Sequence, residues 1–484
     1  MSVSKTPAIL AVLTVGVGSF TLLQSMVAPV LPTLQAELGA SQADSTWIVI
    51  VYLLSAAVCT PIIGRAGDLW GRRRLLIFCL TAIAVGALLS SLAASLPLMI
   101  IGRAIQGIGG GVLPISFGII RAHFPDDAVP GSIGLIASIS AVWAGLGVVL
   151  GGPLVEHLGY RWLFWVPTIL LVVSIAATLA FIPRSTRSYG GRLNILSSIL
   201  MSAWLLPLLV GATKLSSWGW RSPSIVTLLA ASSVFAAVWI VFELQSENPL
   251  VDIRVMRIRE IWVANLASLL FGAGMFGAMA FLPALVQTPS TAGYGLGLSP
   301  SEAGLLLLSQ TASMFVVGLF AGRLTAKYGA SRLLATGSLI CALGFFSLAT
   351  GGDSVWKFVV TLGVVGVGFS LAFTSMSNMV VAAAPRSQTS VASGMNVNLR
   401  NIGGALGTAL MAMFVSSGVS PDTLPKEWNY SSGFLALGVL LFIGATVVAV
   451  FAHSRGVVPT EVQPSRDPAL ASPSGNDHGA RHEQ

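Results

Sequence analysis

GRAGDLWGRRR, residues 64–74, packs five charges (Arg65, Asp68, Arg72, Arg73, Arg74) into a chain of 484 residues that is only 9% charged. Apolar runs flank it, near 46–63 and 75–94. Each is about the length a helix needs to cross roughly 30 Å of hydrocarbon at about 1.5 Å per residue. A short charged link between two such runs reads as a membrane hairpin, with the charges left on one side.

The same reading extends along the chain. A hydrophobic content of 54% and a mean hydropathy of +0.84 exclude an ordinary soluble domain. Further apolar runs lie near 9–31, 97–120, 131–154, 162–182, 193–213, 223–242, 261–286, 303–321, 333–350, 356–381, 391–416 and 433–452. The expectation is an all-α integral membrane protein with 14 transmembrane helices. The first run has neither a strongly positive leader nor a small-residue cleavage site, so it reads as a retained helix. With both termini in the cytoplasm, most of the 26 Lys and Arg fall inside, and only Arg161, Lys214, Arg221, Lys357 and Lys426 fall outside. The positive-inside rule requires that asymmetry of a cell (plasma) membrane protein. The net charge of +8 then reports topology and the lipid bilayer, not nucleic acid.

The opening stretch has an echo in GRLTAKYGASR, residues 322–332. Gly64 and Gly71 align with Gly322 and Gly329 at an offset of 258, which also carries Gly145 onto Gly403. The chain therefore reads as a tandem duplication. The expected organisation is a six-helix bundle over 1–182, two linker helices over 183–260, a second, pseudo-symmetric six-helix bundle over 261–452, and a disordered cytoplasmic tail over 453–484. Parallel repeats about an axis along the membrane normal are a transporter arrangement.

Three motifs carry a family resemblance. Gly64, Asp68, Gly71, Arg72 and Arg73 match the signature loop between spans 2 and 3 of the major facilitator superfamily, and the chain resembles its fourteen-span drug:proton antiporter branch. The resemblance implies a conformational gate in which the acid engages a helix terminus of the opposite half. Physically, the two glycines allow a tight turn, and the arginines face headgroups and helix C-termini. The sequence departs from the family at Leu69, and at Ala326, which removes the acid from the second copy. LMIIGRAIQGIGGG (98–111) places Arg103 about two turns inside the membrane, where an unpaired cation costs at least about 2.5 kcal/mol, so a cavity or partner is expected. It matches the arginine that the family assigns to proton transfer. GLGVVLGGP (145–153) resembles the antiporter motif of exporters, and Gly145, Gly147, Gly151, Gly152 and Pro153 suit close helix approach and bending.

Relatives usually carry an aspartate in span 1 where this chain has Gln24, and an acid where it has Asn194. The remaining candidates for proton coupling are Asp68, Glu156 and Arg103, with Glu302 reading as a helix-start residue after Ser299. None of the eighteen acids is expected deep in a span. Gln24, Gln106, Gln310, Asn378, Asn396 and Arg400 are the substrate-cavity candidates, polar but without negative charge. A neutral, zwitterionic or anionic drug-like small-molecule substrate follows.

No G-x-x-x-x-G-K-[ST] loop is present, His123 and His157 lack metal-ligand spacing, and GIGGG (107–111) lies inside a span. The expected function is export of drug-like or antibiotic small molecules in exchange for protons, by a monomer without enzymatic activity, cofactor or metal. The alternatives are an uncoupled facilitator of a small organic or anionic metabolite and a non-transporting receptor.

Overall fold

The computed structural model describes residues 6–27, 30–40, 42–45, 47–183, 192–219, 221–352, 354–417 and 425–451. The expected tail lies outside the described residues. Long helices dominate: α1 (Thr6–Val27), α2 (Trp47–Trp70), α3 (Arg72–Ser91), α4 (Leu96–His123), α5 (Val129–Leu158), α6 (Trp162–Phe181), α7 (Ile195–Trp218), α8 (Pro223–Gln245), α9 (Arg259–Gln287), α10 (Pro300–Tyr328), α11 (Ala330–Ala349), α12 (Val355–Ala383), α13 (Thr389–Val415) and α14 (Glu427–Phe451). No strand occurs among the described residues. This suits a chain in hydrocarbon, where a helix satisfies its own backbone.

Thirteen of these helices are long and apolar enough to cross a membrane. α13 is as long as its neighbours, at 27 residues, but carries Asn396, Asn398, Arg400 and Asn401 near its middle. Helix boundaries follow local chemistry. Asn194 caps α7 by accepting from Ser197 N at 3.0 Å. Ser299 and Glu302 form a reciprocal capping box at the start of α10. Within α4, the run Ile108–Gly111 tightens to a 3₁₀ turn, where three consecutive glycines remove the side chains that hold a regular helix.

Two large apolar clusters divide the core. One gathers α1–α6 around residues such as Leu13, Leu80, Ile115 and Phe164. The other gathers α9–α14 around residues such as Phe271, Phe345, Phe369 and Phe434. α7 wedges against both α2 and α13 through Leu205 and Leu209 beside Ala57 and Ile402. α8 packs chiefly on α7 and exposes Val226, Val234, Val238 and Val241, an apolar face fit for lipid.

Candidate functional site

The apolar register of α2 runs on past residue 63, so most of GRAGDLWGRRR is helix and only Gly71, at φ 106°, breaks it. Asp68 thus sits on the last turn of α2, and it meets the start of α13. Its Oδ2 accepts from the backbone N–H groups of Ser390 (3.0 Å) and Val391 (3.1 Å), which a helix leaves unpaired at its N-terminus. Its Oδ1 accepts from Arg72 Nη2 (2.7 Å) and Nε (3.0 Å). Arg72 also donates to Ser390 Oγ (3.1 Å), Gly118 O (2.9 Å) and Arg386 O (2.6 Å). Asp68 is 2% exposed, and its charge is met by a guanidinium and a helix N-terminus.

Two expectations change. Gly64 makes no turn: it lies inside α2, and a Cβ there would come within 2.8 Å of Ser390 O. Arg72 does not face headgroups but is buried in the contact, while Arg73 does donate to a helix end, to Leu179 O of α6 at 2.6 Å.

The offset of 258 carries Ser390 onto Ser132, and Gly322 of α10 lies against the start of α5, where a Cβ would meet Pro130 O at 2.9 Å. The α2–α13 and α10–α5 seams are therefore counterparts. Asp68 and Arg72 have Ala326 and Ala330 as equivalents, so the second seam lacks the charge pair. The same face of the bundle is joined further by Arg386 with Asp126 (3.2 Å), Arg121 with the Val381 carbonyl, and Asn378 Nδ2 with Pro130 O (3.4 Å). Asn378, expected in a cavity, belongs to this closure.

Arg103 is fully buried without facing a carboxylate. Its Nε donates to Ile48 O (3.1 Å), its Nη1 to Gln106 Oε1 (2.6 Å), and its guanidinium carbon lies 4.3 Å from the centre of the Tyr52 ring. Gln106 donates in turn to Ser90 Oγ (2.8 Å), so it is committed to packing α4 on α3. Glu156 is exposed near the end of α5, and among the described residues no acid pairs with Arg103.

The glycines of α5 divide by neighbour. Gly145 faces Thr311 of α10, whereas Gly147 and Gly151 face α1, where a Cβ would meet Leu22 O and Met26 O, each at 2.8 Å. Gly152 has open space, and Pro153 is exposed within the helix. Gly403, the counterpart of Gly145, instead lets α13 close on Leu269 O of α9.

Among the remaining cavity candidates, Gln24 and Gln310 are half-buried. Asn396 is consumed in joining α13 to α9, donating to Ala264 O (3.1 Å) and Asn265 Oδ1 (3.0 Å). Arg400 stacks on Phe373 of α12, with its guanidinium carbon 4.4 Å from the ring centre. Asn398 is fully buried with neither amide atom bonded.

Comparison with known proteins places this arrangement. The sequence profile of the Major Facilitator Superfamily matches residues 13–289 and 264–475. The chain belongs to that superfamily. Relatives include the tetracenomycin C resistance and export protein of Streptomyces glaucescens, 27% identical over 87% of this chain and 78% of the relative. A multidrug resistance protein B homolog of Mycobacterium tuberculosis (strain ATCC 25618 / H37Rv) is 25% identical over 91% and 87%. The fold resembles that of the human organic anion transporter MFSD10 (TM-score 0.66, 16% identity, 91% of this chain and 99% of that one). It also resembles the proton:xylose symporter XylE (TM-score 0.66, 14% identity, 93% and 96%). The protein is a multi-pass membrane protein of this superfamily.

This superfamily member also holds a buried acid that apolar runs do not reveal. Glu243 lies just past the run of α8, yet it is 3% exposed. It accepts from Ser197 Oγ, Leu250 N (3.1 Å) and Val251 N (3.3 Å). Leu250 and Val251 in turn pack with Val391 and Met395 of α13, beside the Asp68 contact. A carboxylate two residues from a helix end could have been flagged by the unpaired backbone of the adjoining loop, PLV at 249–251, which has to find acceptors.

Proposed function

We propose that this protein exports drug-like or antibiotic small molecules across the cytoplasmic membrane by alternating access in exchange for protons. In this reading all fourteen long helices cross the membrane, α13 included, with both termini cytoplasmic. Two six-helix bundles (1–182 and 261–452) rock about a shared cavity, and residues 183–260 supply the linker pair. Gly64, Asp68, Gly71, Arg72 and Arg73 form the cytoplasmic gate. The observation that carries the reading is the Asp68 carboxylate seated on the N-terminus of α13, because it joins the first bundle to the second by a contact that can be made and broken. The relatives' names, resistance and export, fit the outward direction. Asp68, Arg103 and Glu156 are the groups assigned to proton handling.

The test is efflux from inside-out vesicles with and without an imposed proton gradient. Gradient-dependent accumulation of a fluorescent drug, abolished by a protonophore and by Asp68→Asn, supports the reading. Accumulation indifferent to the gradient favours the uncoupled facilitator. That alternative has one observation behind it: the acids on the described long helices sit within a few residues of helix ends.

A further inference from the structure

Arg103 and Arg400 both lie deep in the membrane-spanning helices, and their surroundings differ. Arg103 spends its N–H groups on the Ile48 carbonyl and Gln106. Arg400 has an Nη1 shut off from solvent with no acceptor at all. Its contact is the face of Phe373, and among the described residues no carboxylate pairs with it. A buried guanidinium donor without an acceptor is unusual, because unmade hydrogen bonds to charged groups are expensive.

Its position points to a use. Val397, three residues earlier and so on the same face of α13, packs against the N-terminal apolar cluster. Phe373 packs against both clusters. The guanidinium therefore lies at the seam between them, roughly 17 Å along α13 from its start at 1.5 Å per residue. That is mid-depth, where alternating access needs its substrate site.

We propose that Arg400 anchors an organic anion, a carboxylate, sulfonate or phenolate carried on an aromatic body. The anion takes the orphan N–H of the planar guanidinium fork, and the body lies along Phe373. An organic cation gains no partner at this place and meets a like charge. The assignment rests on the export reading and sharpens its substrate class.

The experiment uses the full-length protein in inside-out vesicles, with fluorescein as the anionic probe and ethidium as the cationic one. Fluorescein accumulation is expected in the wild type, falling at least 10-fold in Arg400→Gln and partly recovered in Arg400→Lys, with ethidium uptake not reduced. Phe373→Ala, which keeps the charge, is expected to raise the fluorescein KM several-fold and carries the test if Arg400→Gln does not fold. Unchanged fluorescein transport in Arg400→Gln, or an unchanged KM in Phe373→Ala, overturns the assignment. A wild type that moves ethidium but not fluorescein also overturns it while leaving the export reading intact. A wild type that moves neither overturns the export reading itself.

Discussion

Replacing Asp68 with Asn keeps the shape of the side chain and removes its charge. The Asp68–Arg72 contact lies within one stretch of chain, four residues apart, and persists when the bundles separate, so it largely cancels between gate-closed and gate-open states. Of Asp68's own contacts, those special to the closed state are to Ser390 N and Val391 N. Charge-assisted hydrogen bonds contribute about 1.5–3 kcal/mol each, and a charge at a helix terminus up to about 2 kcal/mol. An amide oxygen retains part of both, so the closed state loses about 3 kcal/mol, or roughly 150-fold in the equilibrium at about 1.4 kcal/mol per tenfold. A protein that is about 99% closed would become about 40% closed. Spin labels at the exposed Asp127 and Lys327, in a background without Cys59, Cys79 and Cys341, report separation on this face by pulsed distance measurement. A new long-distance population in Asp68→Asn is expected, and a distribution identical to the parent refutes the reasoning.

Gly64→Ala should open the same gate without touching a charge, since its Cβ meets a backbone oxygen that cannot rotate away; overpacking of this kind costs about 1–3 kcal/mol, read by the same labels. Within the α5 motif, Gly151→Ala should cut vesicle efflux several-fold because Met26 O lies 2.8 Å from the added methyl, whereas Gly152→Ala, with open space, should remain within about two-fold of the parent. Glu243→Gln replaces one acceptor oxygen by donors facing Leu250 N, Val251 N and Ser197 Oγ. The cost should be about 1–3 kcal/mol, seen as a lower detergent unfolding midpoint and faster proteolysis at 246–252. A midpoint equal to the parent's would show that the Glu243 contacts do not hold residues 246–252 in place.

Helix positions were legible because hydrocarbon imposes a crude length requirement that apolar runs display directly. Helix ends were less so. Span 2, read as ending at 63, continues to Trp70, because Asp68 and Arg72 are sheltered by neighbours that no local pattern discloses. α13 was legible by length although its middle is polar, since Asn396 is paid for by Ala264 and Asn265 on α9. The partner of Asp68 stands 322 residues away and was reachable only through the resemblance, which implied an opposing helix terminus without naming Ser390. The separate fates of Gln106, Asn378 and Asn396, each tied into packing, were invisible for the same reason. A polar residue in an apolar run looks the same whether it lines a cavity or joins two helices.

The two seams related by the internal repeat are unequal in kind. One is held by a carboxylate, a guanidinium and a helix end; the other, where Ala326 and Ala330 stand, is glycine against backbone. Only the first contains a charge pair; the second closes by close backbone approach, with Asn378 Nδ2 on Pro130 O beside it. In the proposed gate, cycling would then respond chiefly to changes in one latch, while Gly322 lets the other seam close with no ion pair to break.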